Sequence, residues 1–419
     1  MTLPIPPEAF LPDERKDALI EEKTLAISPT VPVLILGGKE NSLSLVRNLG
    51  RHGVTVRVSG GDSTWGLYSR YCSERFRIPR GQNVDTFWRA LLLDPDSHQL
   101  DGHIVLACSD EAIEFVIANR EQLEARYRLT DETSELQSSL LDKRRTLELA
   151  QAAGVATPNF WSVDSNTDLR RLRSQVQFPV IVKPILSHKF IRVFGRKLFI
   201  IEQGFDELEE KLRLCRQHDL EVMIVEMIPG PDDLLSSYYT YIGIERLPLF
   251  KLTKRIIRRF PLNRGGAYSQ VTEWLPETAA QGQKFFEGIG LTGFGNVEFK
   301  RDPRDNKLKI IECNARFTAA QELLVQCDAP IDLIIYCHLT GQRTPKFARY
   351  RENVLYWYPF RDFVAFLQLR RLGRLSFRGW IRSLRGFQQI VFPLWNRHDV
   401  RPLIGVAMAN ARRLLRGRA

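Results

Sequence analysis

The sequence predicts an α/β protein: an open parallel sheet first, then a larger unit of antiparallel strands and helices, then a strongly basic C-terminal region. Three observations carry this expectation. VPVLILGG at 31–38 is a continuous apolar run ending in two glycines, the pattern of a parallel strand buried on both faces that turns into a helix. The stretch 293–317, GFGNVEFKRDPRDNKLKIIECNARF, reads as two strands joined by a polar turn. A chain of 419 residues, 44% of them hydrophobic, is long enough to bury a large core and to divide into two or three domains.

Residues 1–30 are acidic and Pro-rich and read as an extension with a short helix. They lack the basic-then-apolar order of a signal peptide. No apolar run approaches the ~18 residues of a membrane-spanning helix. The six cysteines (72, 108, 215, 313, 327 and 337) are scattered without a CxxC pair, and the seven histidines show no ligand spacing. Such a pattern fits reduced thiols in a cytoplasmic protein and argues against zinc.

Residues 31–135 continue strand, helix, strand through SLSLVRNLGRHG, VTVRVSG and GHIVLACSDEAIEFVIANR. That order implies a Rossmann-like open sheet. Gly37-Gly38 is not GxGxxG, and no acidic residue ends VTVRVSG, so a dinucleotide site is not expected there. SLLDKRRTLELAQAAGVATPNFWSV follows as an amphipathic helix stopping at Gly154, then a Pro-marked strand at 157–163. FPVIVKPI is an apolar strand carrying Lys183 in its middle; a buried ammonium is costly unless an anion pairs with it. EVMIVEMIPGPDD is a strand running into a Pro-Gly turn. SSYYTYIG and LPLFKLTKRIIRRFP read as further strands, the second studded with basic residues that include Lys254 and Arg255. The helix ETAAQGQKFFEGIGL leads to the hairpin, and AAQELLVQCDAPIDLIIYCHLTGQ supplies closing helices.

The hairpin holds the most informative chemistry. Glu312 and Asn314 lie two apart on its second strand and so share a face. Glu298 on the first strand can approach both. Three oxygen ligands on a rigid hairpin suit Mg²⁺, which usually takes one or two carboxylates and completes its shell with water and substrate phosphate. Arg316 continues the face and could bind an anion beside the metal. An ordinary exposed hairpin would explain Glu298, but not a carboxylate, an amide and a guanidinium in one row on an apolar strand.

The motif Glu312-Cys313-Asn314-Ala315-Arg316, preceded by a strand bearing Glu298, resembles the metal and phosphate site of ATP-grasp enzymes. Over residues 31–342 the other parts of that family follow in its order. The resemblance implies an α+β grasp at 136–342 behind a Rossmann-like domain that helps bind substrate. It implies Lys143 and Lys183 on the nucleotide phosphates. The hinge near 226–230 would place Glu226 by the adenine amino group, with backbone at Met227 and Ile228 on the adenine edge. Asp233 would bind the ribose, with Asp232 its competitor. Mg²⁺, or Mn²⁺, would sit on Glu298, Glu312 and Asn314. Arg316 would stabilise the acyl phosphate; Lys254 and Arg255, basic side chains along a strand that can line an anionic cleft, are read as phosphate or acyl-phosphate contacts. One part departs from the family: where many members have a glycine-rich flap, LSHKFIRVFGRK has only Gly195, leaving His188, Lys189 and Arg192 to hold phosphate. The implied activity is an ATP-dependent ligase that activates a carboxylate and joins it to an amine. A carboxylase or kinase-like member of the family, or a nucleotide binder without turnover, are the other readings.

The net charge of +11 belongs to the end of the chain. Residues 343–419 hold 17 Lys and Arg against 3 Asp and Glu, a balance of +14, which leaves −3 for everything before them. Three uses fit this aromatic, Arg-rich region: completing the fold, lying on an anionic membrane, or binding nucleic acid. No nucleic-acid motif accompanies the charge.

Overall fold

The computed structural model describes residues 27–163, 169–344 and 349–416. Most of the N-terminal extension, with its expected short helix, lies outside the described residues. Strands β1 (Val33–Leu36), β2 (Val56–Gly60), β3 (Cys72–Arg77) and β4 (Ile104–Ala107) form a parallel sheet in the order β3-β2-β1-β4. β1 is fully buried along its length, which explains its unbroken apolar sequence. Gly37 and Gly38 leave β1 with φ of +67° and +87°, and a Cβ on Gly38 would stand 2.6 Å from the Cys108 side chain. Only glycine fits this turn.

A small antiparallel sheet follows, of β5 (Phe160–Ser162), β6 (Val180–Pro184), β7 (Phe199–Ile201) and β8 (Val222–Glu226), in the order β5-β8-β6-β7. The large sheet has seven strands: β9 (Leu235–Ile242), β10 (Pro248–Phe260), β11 (Gly266–Thr272), β12 (Gly293–Arg301), β13 (Leu308–Asn314), β14 (Val354–Trp357) and β15 (Gln389–Val391). Their order is β13-β12-β9-β10-β11-β14-β15. The two last strands come from the basic region, so part of that region extends the central sheet.

One apolar cluster joins β1 and β2 to β9, β10 and β12 through the helices Gln321–Gln326 and Ile331–Leu339. The helix Glu40–Arg51 packs into this junction although nine of its residues are buried and several are polar. Each polar one finds a distant partner. Ser44 donates to Glu322 at 2.8 Å, Asn48 to Asp332 at 2.9 and 3.0 Å, and Arg47 to Asp399 at 3.0 Å. Buried polar groups are tolerated when so paired. All six cysteines are free and buried.

Candidate active site

A cleft of about 730 Å³ opens where the loops after β1, β2 and β4 face the small sheet and one side of the large sheet. Open parallel sheets present such a crevice at the C-terminal ends of their strands.

The hairpin β12–β13 forms one wall. Glu298 lies directly opposite Glu312, and Asn296 opposite Asn314. Glu298 also faces Ser237 on β9, and Ser237 faces Lys254 on β10. Register therefore lines up Glu312, Glu298, Ser237 and Lys254 in one row across four strands. A bulge at Ile311 on β13 precedes Glu312, a device that re-aims side chains beside functional sites. Asn314 donates its amide NH₂ to Asn296 Oδ1 at 3.2 Å, and Asn296 in turn donates to the Tyr238 carbonyl at 3.2 Å. Asn314 thus presents its oxygen as an acceptor. Burial alone would raise the Glu312 carboxyl; Lys143, Lys197, Lys183 and Arg316 override it and hold it below its ordinary value. It stays charged. Two carboxylates and an amide oxygen are a donor set Mg²⁺ accepts. Among the described residues no group of three or more His, Cys, Asp or Glu converges, and a hard cation sharing its shell with phosphate does not need one.

Three lysines point their charge at the same space. Lys254 is buried, donates to the neutral Ser237 hydroxyl at 3.1 Å, and lies 5.6 Å from the centre of the Tyr239 ring. Burial pushes its ammonium down to about 8 against the pull of Glu298. Lys183 on β6 donates to the Ile311 carbonyl at 2.5 Å and is likewise pushed to about 8 by burial, with Glu312 opposing. Lys143 begins the helix Lys143–Ala152, fixed by an Asp142 cap that accepts from Arg144 N and Arg145 N. Its Nζ stands 3.8 Å from Glu312 Oε1.

At the hinge, Glu226 ends β8, accepts from Asn159 N at 3.0 Å and pairs with Arg304 at 2.6 Å. Glu226, Met227 and Ile228 all line the cleft. The Ile228 carbonyl accepts from Lys300 at 2.9 Å. Arg316, just beyond β13, donates through Nε to Asp110 at 2.7 Å. Burial would raise Asp110, but Arg316, Lys143 and His188 hold its carboxyl at about 2.

Two expected residues stand elsewhere. Arg255 neighbours Lys254 on a strand, so it faces the other side, where it pairs with Glu273 at 2.8 Å. Asp233 is exposed outside the cleft lining, while Asp232 is buried and bound to Arg259 at 2.8 Å. The flap segment is no loop but a helix, Ser187–Phe194. Its His188 lines the cleft and meets Glu114 at 3.0 Å, whereas Lys189 and Arg192 are exposed and outside the lining. Sequence reasoning missed Asp110, Lys197 and Lys300, which all line the cleft, as does Arg259 among the basic residues of β10. Lys300 was findable, being two residues from Glu298 on one strand. Asp110 was not, because an acid in a first helical turn is commonplace.

No protein-family model matches the chain. It is 35% identical over 98 residues to the vancomycin/teicoplanin A-type resistance protein VanA of Enterococcus faecium, covering 23% of this chain and 26% of VanA. It is 24% identical over 225 residues to a D-aspartate ligase of Enterococcus faecium (strain Aus0004), covering 51% of this chain and 53% of that protein. The matches thus span about half or less of these curated relatives. In structure it resembles the biotin carboxylase domain of the Hydrogenobacter thermophilus 2-oxoglutarate carboxylase, solved with ADP, its magnesium salt and bicarbonate. The TM-score is 0.58 at 15% identity, over 77% of this chain and 72% of that one. The fold is the ATP-grasp fold.

Proposed function

We propose that this protein is an ATP-dependent carboxylate–amine ligase that releases ADP and phosphate. The observation that carries the reading is the register row of Glu312, Glu298 and Lys254 facing Lys183, Lys143 and Arg316 across one cleft. Carboxylates for a cation and ammonium groups for a polyphosphate stand together there, and each sign offsets the desolvation of the other. The relatives named as D-aspartate ligase and VanA, and a structural neighbour holding MgADP, support the same reading.

In this reading Glu226, Met227 and Ile228 hold the adenine end of ATP. Lys183, Lys143 and Lys254 bind the phosphates. Glu298, Glu312 and Asn314 hold Mg²⁺, and Mn²⁺ would satisfy the same oxygens. The bound cation supplies charge neutralisation at the triphosphate. A substrate carboxylate oxygen attacks the γ-phosphorus, the bond to the β,γ-bridging oxygen breaks, and ADP leaves. Arg316, oriented by Asp110, stabilises the acyl phosphate. The amine then attacks the acyl carbon, phosphate departs, and the amine proton goes to solvent. Substrates are small carboxylates and amines; amino acids are the class the named relatives suggest.

The test is isotope transfer. With ¹⁸O in the substrate carboxylate, the label should appear in released phosphate, alongside ADP. Plain ATP hydrolysis also gives ADP, so the label is the stricter readout. AMP and pyrophosphate as products, or label remaining wholly in the acyl product, would refute the acyl-phosphate route. No described helix is long and apolar enough to cross a membrane.

A further inference from the structure

The helix Pro359–Arg371 has two dissimilar faces. The inner one is fully accounted for by packing. Phe366 is 2% exposed and stacks on Trp380 at 4.9 Å, and Asp362 is buried, binding Arg258 at 2.6 and 3.1 Å and accepting from Trp380 Nε1 at 2.8 Å. The outer face carries Phe360, Phe363 and Leu367, at i, i+3 and i+7, which is a single helical stripe. They are 71%, 41% and 36% exposed. Leu372 and Phe377, 53% and 52% exposed, follow on the way into the short helix Phe377–Arg382.

Charge surrounds this stripe on one sign only. Between 359 and 385 there are seven arginines, every one exposed, and a single acid, Asp362. Because Asp362 is buried against Arg258, no carboxylate of this segment reaches the surface. An exposed apolar patch rimmed by charge marks an interaction site. Phe and Leu beside unopposed Arg is the composition of helices that lie in a membrane interface, with apolar side chains among the acyl chains and guanidinium groups at anionic headgroups. A second copy of this face is excluded as partner, since arginines would meet arginines.

We propose that the surface formed by the helices Pro359–Arg371 and Phe377–Arg382 docks flat on an anionic lipid leaflet. The apolar stripe of Phe360, Phe363 and Leu367 lies outside the lining of the nucleotide cleft. It lies close enough to feel that cleft, because Gln368 on the same helix accepts from Leu262 N at 3.1 Å, next to the cleft-lining residues Asn263 and Arg264.

The full chain is sedimented with vesicles of neutral phosphatidylcholine and with vesicles in which a quarter of the lipid is phosphatidylglycerol. Wild type should pellet with the anionic vesicles alone and be released by salt. The triple variant Phe360→Ser, Phe363→Ser, Leu367→Ser and, separately, Arg370→Gln, Arg371→Gln, Arg374→Gln should each bind at least about tenfold more weakly. All six side chains are exposed, and circular dichroism checks that both variants stay folded. Equal recovery with neutral and anionic vesicles overturns the proposal. So does anionic binding undiminished in the apolar variant. A gel shift of a single-stranded oligonucleotide that survives the Phe and Leu replacements, with no vesicle binding, would assign the face to nucleic acid instead.

Discussion

At the scale of single residues the cleft is a set of charges held away from water. Burial pushes Lys183, Lys254 and Lys300 to about 8 each. Below that pH they are ammonium groups whose desolvation the neighbouring carboxylates offset only in part. The sign follows. In the free protein their charge is lost as pH rises through about 8, so kcat/KM for ATP should fall there, more steeply than one proton requires. A bound polyphosphate favours the charged form, so the limb in kcat should lie at higher pH. Stability moves oppositely. From about 8 to 10.5 the unfolded chain binds protons that the folded lysines have released, so their contribution to folding stability rises with pH. A flat kcat/KM between pH 7 and 9.5 would remove Lys183 and Lys254 from ATP binding.

Among the elements, the β12–β13 hairpin was the most legible in the sequence. Alternation put Glu312 and Asn314 on one face, and the antiparallel register sets Glu298 opposite Glu312. Glu312→Gln should lower kcat by about a hundredfold or more, since it removes a charged donor to the metal while keeping shape. Its melting temperature should hardly change, and raising Mg²⁺ should restore part of the rate. Unchanged turnover at limiting Mg²⁺ would take the cation off this hairpin. Other elements were less readable. Basic residues along β10 gave no hint of which face meets the cleft; once Lys254 is seen to line it, alternation turns Arg255 away, toward Glu273. The flap segment, with one glycine, carried an amphipathic pattern too short to separate helix from loop, and it forms the helix Ser187–Phe194. Asp110 depended on a contact with Arg316, 206 residues away in sequence. Local periodicity carries nothing about such pairs.

Across the whole molecule, the basic region does more than carry charge. β14 and β15 extend the seven-stranded sheet, and Arg258 and Arg47 are each buried against an acid from it, Asp362 and Asp399. Ending the chain before residue 349 would remove two strands of the large sheet together with both ion-pair partners, and would open the faces where Arg47 and Arg258 are buried. The truncated chain should therefore lose cooperative unfolding, read by calorimetry. A two-state transition of unchanged midpoint would mean the region is an appendage.

The bond between Arg47 and Asp399 has a further consequence, in the order of synthesis. Arg47 leaves the ribosome early and Asp399 leaves 352 residues later. While those residues are made, the first sheet exists beside a helix whose Arg47 lacks its carboxylate partner. The apolar cluster of Leu34, Leu36, Trp88 and Phe115 is built from the N-terminal unit alone, whereas the face of the helix that bears Arg47 is completed only when Asp399 emerges.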